Sequence, residues 1–370
     1  MSASAAEVLA IATVVPPYVC SRARSVAIAK QVFAGQPEAL ALATRLFAAS
    51  GIERRYSVLA DFDPTTNRRS LFAHTADWRP EPSTFMRNEL YRKEAPGLAR
   101  RACEGLANSD WTGRVTHLIT ASCTGFSAPG FDIDLARDLG LSPRLHRSHI
   151  GFMGCYAGFS TLKLARLICQ AEPEALVLIV HVELCSLHVR FCPDAENLVA
   201  NALFADGVAA ALVGGKRHEN LGSGPPLAIL GAGAFLLPGS ADDMTWAIGD
   251  LGFRMTISPR VPHLLRAHLP AAHAALLDET KVERARMRHY AVHPGGPAIL
   301  DAALQALGIG ESDVAVSREV LRDYGNMSSA TLWFLLERIR RRPQAGLVYA
   351  CGFGPGLTLE SALLGHPGCA

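Results

Sequence analysis

The stretch "FADGVAAALVGG" at 204–215 returns in altered form as "GPGLTLESALLG" at 354–365. Each is a glycine turn feeding a short run of small and apolar residues. Runs of this length without polar alternation describe strands covered on both faces. Their recurrence late in the chain suggests a duplicated architecture. Further strands are expected at "VTHLIT" (115–120), "ALVLIVHVE" (175–183), "HYAVHP" (289–294) and "GLVYACGF" (346–353). Between them lie longer segments with helical spacing, which gives an α/β protein. The segment 155–169 reads as a helix that is apolar almost all round and therefore buried, with Phe159, Leu162, Ala165 or Arg166, and Cys169 at spacings of three and four. Around 215–230 the composition turns polar and then Gly/Pro-rich. That change divides the chain into halves at 1–220 and 221–370.

Composition narrows the setting. Of 370 residues 49% are hydrophobic and 19% charged, which excludes a disordered chain and predicts a large core. Lys plus Arg number 36 against 34 Asp plus Glu, so no overall field recruits nucleic acid or an anionic membrane. The first twenty residues lack a basic signal-peptide start and are broken by Pro16 and Pro17, and no stretch supplies the roughly 18 apolar residues of a membrane span. A cytoplasmic location is expected. The nine cysteines run from Cys20 to Cys369 without a CxxC pair, which argues against a zinc site or a disulfide framework. The basic clusters "RARMRHY" and "RIRRRP" read as solvated helix surface.

Three motifs carry chemistry. In "GFMGCYAGF" (151–159), Cys155 would begin the buried helix. Unpaired N–H groups and the positive end of the helix dipole would favour its thiolate there. In "VHPGGPAIL", His293 stands at a strand end beside a rigid Pro/Gly turn, where it can face a cleft. In "DYGNMSSATLWF", Asn326 precedes a helix and could equally be its cap. Cys, His and Asn in this order also describe papain-like proteases, but "CGSCW"-like sequence and disulfides are missing.

Taken together, "GCYAGF", "NALFADG", "HPGGPAILD", "YGNMSSATL" and "GFGPGLTLE" resemble the type III polyketide synthases, the chalcone-synthase-like branch of the thiolase superfamily. "GIERRY" (51–56) and "CTGFSAPGFDIDLARDLGL" (123–141) extend the likeness over nearly the whole chain. The resemblance implies a thiolase fold, a duplicated αβαβα layered architecture in a homodimer. It implies that Cys155 carries the starter acyl group taken from a CoA thioester. His293 would form an ion pair with the Cys155 thiolate, and His293 and Asn326 would bind the thioester carbonyl of malonyl-CoA as it loses carbon dioxide. Phe204 matches the family's gatekeeper. Arg54 and Arg55 are the candidates for the CoA phosphates. CoA thioesters enter as substrates, and no cofactor, metal, nucleic acid or membrane span is implied.

Departures from the plant pattern bear on the product. Ala128 stands where plant enzymes send a methionine into the partner's cavity. Cys123, Cys185 and His188 replace threonines that shape the cavity, and Trp246 and Met255 occupy lining positions, as does the turn of Gly352, Phe353, Gly354, Pro355 and Gly356. These replacements resemble bacterial synthases that make alkylpyrones and alkylresorcinols from long acyl-CoA starters. Cys123 also resembles a residue of the malonyl-primed tetrahydroxynaphthalene synthases, although that subgroup tends to carry cysteine at the position of His188. A catalytically degenerate scaffold protein is the alternative from another class.

Overall fold

A computed structural model describes residues 6–365 apart from 73, 74, 76, 107, 108, 223, 344 and 345. Cys369 therefore lies outside the described residues. A nine-stranded sheet organises the chain. Its first-half strands are β1 (Glu7–Val14), β4 (His117–Ser122), β5 (His146–Gly151), β6 (Leu176–Leu184) and β7 (Asp206–Gly214). From the second half come β8 (Leu227–Leu236), β11 (Met287–Val292), β12 (Leu347–Gly354) and β13 (Thr358–Gly365). Two short antiparallel pairs stand apart: β2 (Tyr18–Ser21) with β3 (Arg54–Ser57), and β9 (Met244–Gly249) with β10 (Gly252–Ile257).

The strand order is β11-β12-β13-β8-β1-β7-β6-β4-β5. Read outward from the β1–β8 seam, each side repeats one pattern. β1 pairs antiparallel with β7, β7 antiparallel with β6, and β6 parallel with β4. Likewise β8 pairs antiparallel with β13, β13 antiparallel with β12, and β12 parallel with β11. The two recurring sequence stretches are thus β7 and β13, equivalent strands of the two repeats.

The helices are α1 (Arg22–Val32), α2 (Pro37–Ala49), α3 (Thr84–Glu104), α4 (Phe131–Asp138), α5 (Ala157–Ala171), α6 (Ala195–Leu203), α7 (Val261–Thr280), α8 (Pro297–Leu307), α9 (Ala315–Tyr324) and α10 (Thr331–Arg340). α5 and α10 touch strands of both repeats and form the central layer, while α3 covers the first repeat and α7 the second. This is the expected αβαβα layering. Because β6 is covered on both sides, all nine of its residues are buried. Leu176, Leu178, Val180 and Val182 join the core under α3, whereas Val177 and Ile179 face the central layer. By the two-residue period of a strand, His181 and Glu183 also point inward toward α5 and α10.

Three expectations need correction. Helix α5 begins at Ala157, so Cys155 precedes it. The helix is also not apolar all round: its last turns open to solvent, with Leu167 52% exposed. The run "RIRRRP" is not simply solvated, because Arg340 is fully buried, ion-pairs with Glu337 at 2.8 Å and donates to the Leu9 carbonyl of β1. Among the described residues no helix is long and apolar enough to cross a membrane, and the eight described cysteines are free.

The central layer is packed to contact. A Cβ built on Gly352 of β12 would come within 2.5 Å of the Phe159 ring of α5. Gly352→Ala is therefore expected to lower stability by about 1–3 kcal/mol, the usual effect of overpacking, measured as a lower urea midpoint with an unchanged m-value.

Candidate active site

A cavity of about 800 Å³ lies where the two repeats meet, and Cys155, Phe204, His293 and Asn326 all line it. Each reaches it from a strand or helix end. Cys155 follows a turn in which Phe152 and Gly154 have φ of 58° and 78°. Gly154 cannot be larger: a Cβ there would sit 2.5 Å from Pro355 Cδ. The "GFGPG" turn of the second repeat thus packs directly under the nucleophile loop of the first. His293 leaves the end of β11, where its N–H donates to the Cys351 carbonyl at 2.8 Å, and the Gly295 N–H donates back to the His293 carbonyl at 2.9 Å. Asn326 and Phe204 face each other across a backbone bridge. The Asn326 N–H donates to Leu203 O and the Ala205 N–H donates to Asn326 O, both at 2.9 Å. Asn326 Oδ1 accepts from the Ser328 N–H at 2.9 Å, which leaves the Nδ2 amide available to donate into the cavity.

The catalytic side chains are buried and largely uncharged. Cys155 is 7% exposed, and its Sγ–H donates to Asn326 Oδ1 at 3.9 Å. Burial pushes this thiol up to about 12, a shift opposed by Ser328 and increased by Glu183. Burial pushes the His293 imidazole down to about 4, and the Asn326 side chain only partly offsets this. Among the described residues neither ring nitrogen of His293 meets a partner in hydrogen-bonding geometry. Taken singly, burial favours the neutral thiol and the neutral imidazole, and the Cys155–His293 ion pair forms when a proton moves from one to the other.

A buried polar network continues below. Glu183 Oε2 accepts from the Cys123 N–H at 3.0 Å, the Cys123 thiol at 3.4 Å and the Thr124 hydroxyl at 3.1 Å. Its Oε1 meets the Ser329 hydroxyl. Ser329 Oγ lies 2.9 Å from His181 Nδ1, and His181 Nε2 lies 2.9 Å from Thr161 Oγ1. Cys123 Sγ also meets Ser328 Oγ at 3.2 Å, directly beside Cys155.

Of the pocket residues named from sequence, Cys123, Cys185, Trp246, Met255, Phe353 and Pro355 line the cavity. The Trp246 indole N–H donates to the Cys123 carbonyl at 2.7 Å and its ring stacks against Phe204. Gly352, Gly354 and Gly356 do not line it. Gly352 and Gly354 lie against Phe159 and Tyr156 and so support the nucleophile loop from behind. His188 is withdrawn as well. It accepts the Phe253 N–H at Nδ1, donates Nε2–H to the Thr124 carbonyl, stacks on the Phe253 ring at 3.9 Å and opens only on a small side pocket. Ala128, expected at a partner's cavity, is exposed on a surface loop outside the cavity wall of its own chain.

The arginine expectations also change. Arg55 donates to the carbonyls of Asn201 and Phe204 and to Ser25 Oγ, which braces the gatekeeper instead of meeting phosphate. Arg54 is exposed on β3 and outside the wall. The charged residues lining the cavity are Glu196 and Asp301, both acidic and both at its exposed rim. Glu183, His181, Ser328 and Ser329 were not singled out from sequence. A carboxylate and an imidazole inside the apolar run "ALVLIVHVE" were the available signal, since buried charge requires partners.

Comparison with known proteins agrees with this geometry. Residues 1–217 match the chalcone and stilbene synthase N-terminal domain, and residues 229–366 match the chalcone and stilbene synthase C-terminal domain. The "Alpha-pyrone synthesis polyketide synthase-like Pks18" of Mycobacterium tuberculosis is 30% identical over 341 residues, covering 89% of this chain and 86% of that protein. Among solved structures, PKS-I from the brown alga Ectocarpus siliculosus superposes with a TM-score of 0.90 at 29% identity, covering 99% of both chains. The C-terminal type III polyketide synthase domain of Steely1 from Dictyostelium gives 0.87 at 27%, covering 98% of this chain and 99% of that one. The chain belongs to the chalcone and stilbene synthase family and is a type III polyketide synthase, an acyltransferase.

The two arginines separate cleanly by experiment. Arg55→Ala leaves half-buried carbonyls without this donor and is expected to lower unfolding free energy by about 1–3 kcal/mol. Arg54→Ala, on the surface, should stay within about 0.5 kcal/mol of the parent in the same urea titration. Equal effects would mean that Arg55 does not brace Phe204.

Proposed function

We propose that this synthase loads a medium or long acyl group onto Cys155, extends it by decarboxylative condensation with malonyl-CoA, and releases alkylpyrones or alkylresorcinols. One observation carries the reading: Cys155, His293 and Asn326 share the floor of a cavity of about 800 Å³ whose lining is mostly apolar, built from Ala, Leu, Val, Ile, Met, Phe, Trp and Pro. Such volume and polarity suit an acyl chain better than a polar starter. The α-pyrone assignment carried by the mycobacterial relative's name supports the same product class.

Malonyl-CoA and acyl-CoA are the family's substrates. In acylation, His293 takes the Cys155 proton as sulfur attacks the thioester carbonyl, and returns it to the departing CoA sulfur. The neutral imidazole suits a base that starts without a proton to spare. In extension, His293 N–H and Asn326 Nδ2–H donate to the malonyl thioester oxygen as carbon dioxide leaves. The resulting enolate attacks the Cys155 thioester, and the lengthened chain departs from the cysteine on the CoA. Donors aimed at developing charge are each worth about 10²–10³ in rate, so Asn326→Ala should lower malonyl-CoA decarboxylation by that factor.

CoA thioesters serve as substrates and no metal or prosthetic group takes part. Arg45 and Arg260 adjoin the lining residues Leu46 and Pro259 in sequence, and Arg318 pairs with the lining residue Asp301. The working unit is a homodimer in the cytoplasm. Supporting the dimer, the face near Ala128 exposes Phe85 by 73%, Met86 by 50% and Phe126 by 50%, apolar side chains that association would cover.

The test is product mass spectrometry with malonyl-CoA alone and with acyl-CoA starters from acetyl to stearoyl, beside Cys155→Ala. Pyrone or resorcinol masses that follow starter length and vanish in the variant are expected. A product from malonyl-CoA alone would move the assignment to tetrahydroxynaphthalene formation. No product and no carbon dioxide under any starter would favour a non-catalytic scaffold.

A further inference from the structure

The network below Cys155 has a direction, and one end of it fixes that direction. The Thr161 hydroxyl lies 2.9 Å from the Gly158 carbonyl, which can only accept, and the rest of the chain follows with the single Thr161 proton placed there. Thr161 Oγ1 must then accept, and His181 supplies Nε2–H at 2.9 Å. A neutral His181 consequently presents a lone pair at Nδ1 toward Ser329 Oγ, 2.9 Å away, and Ser329 spends its only proton there. Nothing remains for Ser329 to donate to Glu183 Oε1, although the two are in contact. The contact is satisfied when Glu183 Oε1 carries the proton and Ser329 accepts it. Oε2 is then the carbonyl oxygen that accepts from Cys123 and Thr124.

We propose that Glu183 is carried as a neutral carboxylic acid, that the Ser329–His181–Thr161 chain fixes its proton, and that this neutral acid keeps negative charge away from Cys155. This rests on the reading of Cys155 as the nucleophile, while the proton assignment stands on the hydrogen-bond geometry alone. An ionised Glu183 would need Ser329 to donate to it. The Nδ1 lone pair would then face an oxygen lone pair, or His181 would become a buried cation. Burial opposes both charges: it pushes the Glu183 carboxyl up to about 7 and the His181 imidazole down to about 3. The titratable groups facing Glu183 are Tyr91 from α3, Cys123 beyond β4, Cys155 before α5 and Cys185 beyond β6, with His181 one hydroxyl away. No lysine or arginine is among them. An ionised Glu183 adds to the effect of burial on the Cys155 thiol, so the neutral acid leaves the thiol easier to deprotonate. Glu183 acts through Cys155 and is a positioning residue.

Infrared difference spectroscopy of the whole protein across pH 5–9 reads the acid directly. A carboxylic-acid carbonyl band should be present at low pH, be lost with a midpoint raised well above that of an ordinary carboxyl, and be absent from Glu183→Gln. Thr161→Val removes the anchor without changing shape and frees His181 to reverse its tautomer. Ser329 can then donate to the carboxylate, and the midpoint should fall by at least about one pH unit. Alkylation of Cys155 by iodoacetamide, followed on its peptide by mass spectrometry, should match between parent and Glu183→Gln below the midpoint and be faster in Glu183→Gln above it. A Glu183 that is ionised throughout, a midpoint unmoved in Thr161→Val, or Glu183→Gln faster at every pH would each overturn the proposal. None of these readouts needs substrate, so they fail separately from the synthase reading.

Discussion

The contact on which the site depends is the close approach of the Gly354–Pro355 turn to the Gly154–Cys155 turn. It joins two loops from opposite repeats with no room for a Cβ at Gly154, so the position of the nucleophile is set by backbone against ring and not by a flexible side chain. His293 and Asn326 reach the same cavity on the ends of β11 and α9, elements of the second repeat. A chain that folded only its first repeat would possess a cysteine but no active site. Duplication supplies the geometry: two equivalent sheets bury a shared helical layer, and their strand ends converge beside it.

Burial in that layer then governs the chemistry. A cysteine in water leans toward a modest thiolate fraction, but this one is buried, and so is the imidazole beside it. Each alone stays neutral, because a single charge in an apolar pocket is costly, whereas a paired change, thiolate with imidazolium, changes no net charge. The proton can therefore move within the pair at the moment a thioester arrives without asking the pocket to accept a net charge. Asp206 shows the structural counterpart. It accepts from the backbone N–H groups of Val58 and Ser186 and from the Ser186 hydroxyl, near Arg55, which fastens the segment carrying Phe204 to β3.

Much of this was legible from sequence because it rests on local patterns. Strand runs such as "ALVLIVHVE" are apolar for the plain reason that helices cover both their faces, and the repeat of a glycine turn before a small-residue strand records the duplication. Cys155, His293 and Asn326 stand in turns whose Gly and Pro content announces a special backbone. What the sequence could not show was direction. Arg55 and Arg54 are neighbours in a strand and so point oppositely: one faces the carbonyl of Phe204 and the other solvent, and the residue letters do not say which. His188 reads like a cavity residue until both of its nitrogens are seen to be engaged by backbone groups.

The same reasoning explains where selectivity must arise. With only Glu196 and Asp301 as charged lining residues, the cavity offers an incoming CoA thioester no cationic interior. Recognition of the nucleotide portion falls to groups outside the cavity, and the interior responds to apolar volume. Trp246 and Phe204 stack together at the wall, and Trp246 is tied to the Cys123 carbonyl. The wall is thus rigid on the side bonded to the catalytic floor and bounded elsewhere by Met244, Met255 and Val199, side chains that can repack around an alkyl chain. A rigid floor with an adaptable wall fixes the reacting carbon while leaving the tail free to vary in length.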